Sequence, residues 1–248
     1  MDHTPDKVGG YQIQSVLGTG GTGTVYLAQR GDQLVALKVF ESGSPAPMVL
    51  EHPSIVPVID HGNHWLAMQY VSGGDADSEL RAGRMSPAQA VRIIADIAEA
   101  LDFAHAQGVM HGDVKPSNFL LADDDRALLA DFGTPPFVRD GQVLVSAAYA
   151  SPEMLRGKEV DGRSDVYSLG CSLFRLLTGK PPFFDAESKD AVVQAHLHRE
   201  PPRPTQFSPW LPPAMDDVVA TAMAKDVNQR YQNARALAAA AVEALKAL

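Results

Sequence analysis

The segment between residues 111 and 133 constrains the fold most strongly, because it places several polar side chains between short apolar runs. Residues 111–118 read HGDVKPSN, and residues 131–133 read DFG. Asp113 and Asn118 are predicted to lie on a loop, because Pro116 is incompatible with a helix interior. The apolar runs at 119–121 and 127–130 flank three aspartates, a pattern that predicts a strand, a turn and a second strand. Such a hairpin would return Asp131 to the side of Asn118.

The residue types gathered by this hairpin point to phosphate chemistry. Carboxylate and carboxamide oxygens such as those of Asp131 and Asn118 are suited to Mg²⁺ that carries substrate phosphates. Asp113 is the candidate for accepting a proton from an incoming hydroxyl group.

A glycine-rich stretch near the start of the chain fits the pattern G-x-G-x-x-G-x-V, with Gly18, Gly20, Gly23 and Val25 in the defined positions. Glycines let a backbone approach phosphates closely. A dinucleotide-binding loop has similar spacing, but it requires a helix directly afterwards. Residues 24–28 are β-branched and aromatic instead, which indicates a strand.

The next predicted strand, residues 33–40, contains Val-Ala-Leu-Lys at positions 35–38. Alternation along a strand places Ala36 and Lys38 on the same face. The four residues resemble the Val-Ala-Ile-Lys motif of kinases, and this resemblance implies that Ala36 lies against the adenine and that Lys38 reaches the α- and β-phosphates.

Together these motifs resemble the signature set of the eukaryotic-like protein kinases of bacteria, over about residues 11–240. The first motif alone is ambiguous, because small-molecule phosphotransferases such as aminoglycoside kinases share it. The resemblance implies an α+β, bilobal fold in one kinase domain spanning 1–248. The small antiparallel β lobe with the hinge would span 1–71, and the larger, mainly helical lobe 72–248.

The resemblance also implies the site. Lys38, Asp113 and Lys115 would be catalytic, while Asn118 and Asp131 would hold Mg²⁺, with Mn²⁺ as an alternative ion. Asp75 or Asp77 would meet the ribose. The ATP-binding residues would be Gly18, Gly20, Gly23, Val25, Ala36, Lys38, Met68 as gatekeeper, the backbones of Gln69 and Val71, and Leu120.

Later motifs resemble the parts of a kinase that bind a peptide. Residues 149–153, Tyr-Ala-Ser-Pro-Glu, resemble the closing motif of the activation segment, and alignment on it gives Ser146 a contact with the catalytic residues. The helix containing Asp165 would anchor the catalytic loop, and Arg230 would pair with Glu153.

The segment between residues 41 and 51 departs from the family pattern. Kinases normally have a multi-turn helix there, whose glutamate pairs with the strand lysine, but Pro45 and Pro47 leave room for about one turn. The helix is therefore expected to be missing or vestigial, and Lys38 to be loosely held. Apolar surface formed by Val39, Val56 and Val58 would then be exposed, which favours binding of a partner or self-association.

Composition and charge argue against several classes of protein. A net charge of −9 argues against nucleic-acid binding. Cys171, the one cysteine of the chain, cannot form an internal disulfide, which favours a cytoplasmic location. No apolar run approaches the ~20 residues of a membrane span.

We expect an ATP-dependent Ser/Thr protein kinase that phosphorylates protein hydroxyls. Lys115, two residues after Asp113, is the mark of Ser/Thr specificity in the family. Two alternatives stay open. A pseudokinase would fit the shortened helix and Gly112 in place of arginine, and a small-molecule phosphotransferase would fit the first motif.

Overall fold

The computed structural model describes residues 6–21, 23–41, 49–132, 138–139, 142–143 and 147–246. Within these ranges the chain forms an N-terminal β-sheet followed by a mainly helical region, so the predicted bilobal α+β fold is confirmed. The strands are β1 (Lys7–Val8), β2 (Tyr11–Gly20), β3 (Gly23–Arg30), β4 (Gln33–Phe40), β5 (Val58–Gly62), β6 (Trp65–Gln69), β7 (Phe119–Leu121), β8 (Ala127–Leu129), β9 (Val138–Arg139) and β10 (Gln142–Val143). The helices are α1 (Ala76–Arg81), α2 (Pro87–Ala106), α3 (Pro152–Leu155), α4 (Gly162–Thr178), α5 (Lys189–His198), α6 (Ala214–Ala222) and α7 (Ala234–Leu245).

The small lobe is an antiparallel sheet of six strands in the order β1-β2-β3-β4-β6-β5. Alternation along β4 gives the sheet two different faces. Val35 and Leu37 pack into a core with Tyr11, whereas Ala36 packs with Met68 against residues of β8 and its flank. The second face of the sheet is therefore directed toward the large lobe.

The large lobe is built around α2 and α4. Ser86 caps α2 by accepting a hydrogen bond from the Gln89 N–H, with proline at the first helical position. Helix α4 is buried over most of its length, and α7 packs on α2 along the outside. Cys171 lies in the α4 core, where burial raises the pKa of its thiol. No helix within the described ranges has the length and apolarity needed to cross a membrane.

The proposed loss of the small-lobe helix concerns a segment of which residues 42–48 lie outside the described ranges. The described residues 49–51 that follow are not helical. The expected exposed patch is not formed by the three valines named for it: Val56 is buried, and Val39 and Val58 are half-buried. Val56 instead packs with Ala36 and Leu128 at the junction of the lobes.

Candidate active site

The hairpin of β7 and β8 brings Asn118 and Asp131 together, as the sequence predicted. Phe119 pairs with Leu129, and the Ala130 N–H donates to the carbonyl of Asn118 at 2.9 Å. A 3₁₀ turn over Pro116–Asn118 begins with the proline and connects the loop of Asp113 to β7. The Asn118 Nδ2 donates to the Asp113 carbonyl at 2.8 Å, which leaves the amide oxygen as the remaining polar atom of that side chain.

These residues border a cavity of about 290 Å³ between the lobes. Its lining includes many of the residues expected to bind nucleotide: Gly18, Val25, Ala36, Met68, Val71, Asn118, Leu120 and Asp131. Gly20, Gly23, Lys38, Gln69, Asp113 and Lys115 are not among the lining residues. Glycines 20 and 23 pair with each other at the turn between β2 and β3, and the Gln69 N–H is bonded to the carbonyl of Pro57.

Several lining residues were missed from the sequence: Leu17, Tyr70, Ser72, Gly74, Ser117 and Ala130. Each directly adjoins a residue that was named, so proximity to the motifs was the available signal.

The two aspartates suggested for the ribose have different surroundings. Asp75 lines the cavity and caps α1, accepting the Ser78 N–H and hydroxyl at 2.9 and 2.7 Å. Asp77 is ion-paired with Arg175 and Arg81 and does not line the cavity.

Gly23 illustrates why the turn above the cavity requires glycine. Its φ is +148°, and a Cβ built there would lie 2.0 Å from the carbonyl oxygen of Val39. A side chain would therefore separate β3 from β4 next to Lys38.

Lys38 is firmly held, contrary to the expectation of a loosely held side chain. Its side chain is only 4% exposed, and its Nζ lies 3.0 Å from Asp131 Oδ2. Glu41 and Glu51, the two acidic residues of the segment 41–51, are both exposed, and no ion pair joins either of them to Lys38 in the described structure. The ion pair with Asp131 instead connects the small lobe to the large lobe.

Asp113 and Lys115 form a second ion pair, on the loop that leads to Asn118. The Lys115 Nζ lies 2.6 Å from Asp113 Oδ2, and both side chains are partly exposed. A carboxylate in this position can accept a proton, and the adjacent ammonium can neutralise negative charge on a transferred group.

The side chain of His111 holds the loop of Asp113 in place. Its Nδ1 accepts the Asp113 N–H at 3.1 Å, and its Nε2 lies 2.8 Å from the carbonyl oxygen of Ala130. Since a carbonyl can only accept, Nε2 bears the proton. The ring also packs edge-on against Phe132.

Asp165 of α4 anchors the same loop, as the resemblance implied. Its carboxylate accepts the N–H groups of His111 and Gly112 at 2.9 and 2.8 Å, and His105 Nε2 lies 2.7 Å from it. Burial alone would raise the pKa of Asp165, but the hydrogen bond to His105, the electrostatic interactions with His111 and His105 and the hydrogen bond from the His111 N–H keep it below its ordinary value. The carboxylate therefore remains an acceptor for both backbone donors.

A buried ion pair secures α3. Arg230 contacts both carboxylate oxygens of Glu153, at 2.7 and 2.8 Å, which confirms the predicted pair. Ser164 donates to the same carboxylate at 2.5 Å. Ser146 and Gly133, which were also assigned places near the site, lie outside the described residues.

With this geometry in place, comparison with known proteins defines the class. Residues 11–242 match the family described as Protein kinase domain, so the chain belongs to that family. Members of this family use ATP with a divalent metal ion. The chain is 46% identical to the Serine/threonine-protein kinase PknJ of Mycobacterium tuberculosis, in an alignment covering 95% of this chain and 45% of the relative. It is 40% identical to PknH and 38% identical to PknD of the same species, with 96% of this chain covered in each case, and 42% and 40% of the relatives.

Two features of these alignments bear on the proposals below. The chain spans less than half the length of these relatives. The alignments nevertheless extend over 264 to 267 positions, which is more than the 248 residues of this chain. The relatives therefore contain residues within the matched region that have no counterpart here.

Proposed function

We propose that this chain is the catalytic domain of a Ser/Thr protein kinase, which transfers the γ-phosphate of ATP to hydroxyl groups of a protein substrate. The observation that carries the proposal is that Asn118 and Asp131 line one cavity with Gly18 of the glycine-rich hairpin, while the Asn118 side chain donates to the carbonyl of Asp113. The names of the relatives support Ser/Thr specificity, as does Lys115 beside Asp113.

Phosphoryl transfer depends mainly on positioning the reactants and on neutralising charge. Each residue of the site has one of these roles. Asp113 orients the substrate hydroxyl and accepts its proton. Lys115 neutralises charge on the transferred group, and Lys38 binds the α- and β-phosphates. The hinge around Gln69 and Val71 holds the adenine edge, with Ala36, Val25 and Leu120 around the ring.

Asn118 and Asp131 would hold Mg²⁺, or Mn²⁺ as an alternative. Two oxygen ligands fit an ion that is otherwise bound by substrate phosphates and water. When bound, the ion would neutralise the phosphate oxygens during transfer. Among the described residues there is no cluster of three or more His, Cys, Asp and Glu side chains that would form an all-protein metal site.

Two specific observations separate this proposal from its alternatives. A pseudokinase would more often have lost one of the charged residues, yet all are present, and Lys38 and Asp131 are in contact. The pair of Glu153 and Arg230 supports the platform that protein kinases use to bind peptides, which a small-molecule phosphotransferase does not need.

We infer from the sequence that the family helix is missing or vestigial in residues 41–51, and that activity does not require association through the small lobe. Pro45 and Pro47 leave room for about one helical turn in this segment. The valines expected to form an exposed patch are buried or half-buried, and Lys38 has a partner within the chain. Specific activity and solution mass, both measured against protein concentration, test this inference.

Transfer from labelled ATP to a generic protein substrate tests the proposed function. Asp113→Asn and Asp131→Asn should each abolish transfer in the presence of Mg²⁺. Asp124→Asn is the matched control, because this exposed aspartate lies at the turn of the same hairpin and pairs only with Arg126 in the described structure. Wild-type turnover in Asp131→Asn would refute the metal site, and an inactive wild-type protein would refute the enzyme assignment.

A further inference from the structure

The ammonium of Lys38 is buried, and the helix glutamate that normally pairs with this lysine in kinases is not available in residues 42–48. The lysine side chain is 4% exposed, and a buried ammonium is costly unless it is paired. Residues 42–48 read SGSPAPM and contain no acidic side chain, so this segment cannot supply a glutamate whatever its conformation. The flanking Glu41 and Glu51 are exposed. The carboxylate that contacts Lys38 is therefore that of Asp131, on the opposite lobe.

Asp131 has a second task under the proposed function, on which this inference rests. A carboxylate that binds a divalent ion shares its negative charge between that ion and Lys38. The ion pair with Lys38 is therefore weakened when Mg²⁺·ATP enters, just when Lys38 must be positioned for the phosphates.

Phe40, a neighbour of Lys38 on β4, can contact the lysine without binding the metal ion. Lys38 and Phe40 are two residues apart on β4 and share a face. The Lys38 Nζ lies 5.6 Å from the centre of the Phe40 ring, within the range of a cation–π contact. The ring is 5% exposed, so little water screens this attraction.

The backbone of Phe40 is fixed on both sides. It pairs with Gly23 of β3, and its N–H donates to the carbonyl of His64 at 2.9 Å. The ring is thus carried by a rigid strand that also carries the lysine.

We propose that Phe40 is a positioning residue for Lys38, whose aromatic face takes over part of the role of the absent glutamate. The ring attracts the ammonium through its quadrupole, remains beside it in the nucleotide complex, and has no charge with which to compete for the metal ion.

Progressive fluorination of the ring tests this role. Phenylalanines with one, two and three ring fluorines are incorporated at position 40, which weakens the quadrupole while largely preserving shape. The kcat/KM for ATP should fall stepwise, reaching about 5- to 30-fold for the trifluorinated ring, the size of a desolvated cation–π contact. Phe40→Leu should show a loss at least as large, and Phe40→Tyr should retain activity.

The same fluorinated residues at Phe174 provide the control. This side chain is fully buried in the large lobe against Phe207 and is remote from Lys38, so activity should not change. A flat fluorination series at position 40, with a loss only in Phe40→Leu, would overturn the proposal by showing that Phe40 acts through its shape.

The affinity for Mg²⁺·ATP is measured in parallel by calorimetry. This measurement distinguishes failure of the proposed kinase function from failure of the role proposed for Phe40. An inactive wild-type protein would refute the proposed function alone. If the wild-type protein is inactive, a stepwise loss of nucleotide affinity along the fluorinated series would still support the role of Phe40. An unchanged affinity along that series would refute it.

Discussion

Removing Arg230 should destabilise the large lobe severely, because it leaves the Glu153 carboxylate buried without its partner. The Arg230 side chain is fully buried and that of Glu153 is 10% exposed. Arg230 also donates to the carbonyls of Ala224 and Arg163, which would lose a donor as well. Breaking such a pair costs about 3–5 kcal/mol. For a chain of this size, that loss lowers Tm by roughly 6–20 °C.

The pKa of Glu153 provides an independent value for the same contact. Burial alone would raise this pKa, but the hydrogen bonds from Arg230 and Ser164 outweigh it and lower the pKa from 4.5 to about 2. A shift of that size corresponds to about 3 kcal/mol of stability. Because the pKa is lowered on folding, this contribution is complete above pH 4.5 and is lost as the pH falls toward 2.

The assay is urea unfolding of wild type, Arg230→Met, Glu153→Gln and the double variant at pH 7, followed by a pH series. Wild type should lose about 3 kcal/mol more than Glu153→Gln between pH 4.5 and pH 2. Arg230→Lys is the graded control, because it keeps the charge but cannot contact both oxygens. Additive effects in the double variant, or a free energy of unfolding of Arg230→Met within about 1 kcal/mol of wild type, would refute the reasoning.

Three further predictions concern activity. Asp165→Asn should lower kcat by about tenfold, because an amide group cannot accept from both His111 and Gly112 as the carboxylate does, with little change in the KM for ATP in steady-state kinetics. Phosphorylation of the activation segment should not raise activity, because Gly112 offers no charge to a phosphate; a tenfold activation that accompanies a mass increase of one phosphate would contradict this. Specific activity should be independent of protein concentration, and a rise that parallels dimer formation in light scattering would show that a partner is needed.

Local signals predicted the strands and the hairpin of the site well. The alternation of residues 33–40 gave β4 and the correct face for Ala36, and the apolar runs around three aspartates gave the pairing of β7 with β8. These succeed because strand faces and short hairpins depend on neighbouring residues. The contacts of Asp165 with the catalytic loop and of Glu153 with Arg230 came from the resemblance, since each joins residues more than 50 positions apart.

The ion-pair partner of Lys38 could not be predicted from such local signals. The sequence predicts that no helix glutamate holds Lys38, but it does not show which carboxylate of the other lobe lies within reach of the lysine, so the prediction of a loosely held side chain was wrong. Whether Asp131 reaches Lys38 depends on how closely the lobes approach, which is set by packing of Ala36 and Val56 against Leu128. The exposure of Val56 was misjudged for the same reason.

The ion pair between Lys38 and Asp131 has a consequence for how activity is controlled. In relatives whose lysine pairs with a glutamate on a movable helix, displacement of the helix separates the pair. Here the lysine pairs with a residue of the nucleotide site itself, and Phe40 lies on the same strand as the lysine. Moving a helix cannot separate these groups, because none of them belongs to one. Under the proposed function, the arrangement of Lys38 therefore depends on closure of the lobes around the nucleotide, and control has to act on nucleotide or substrate access.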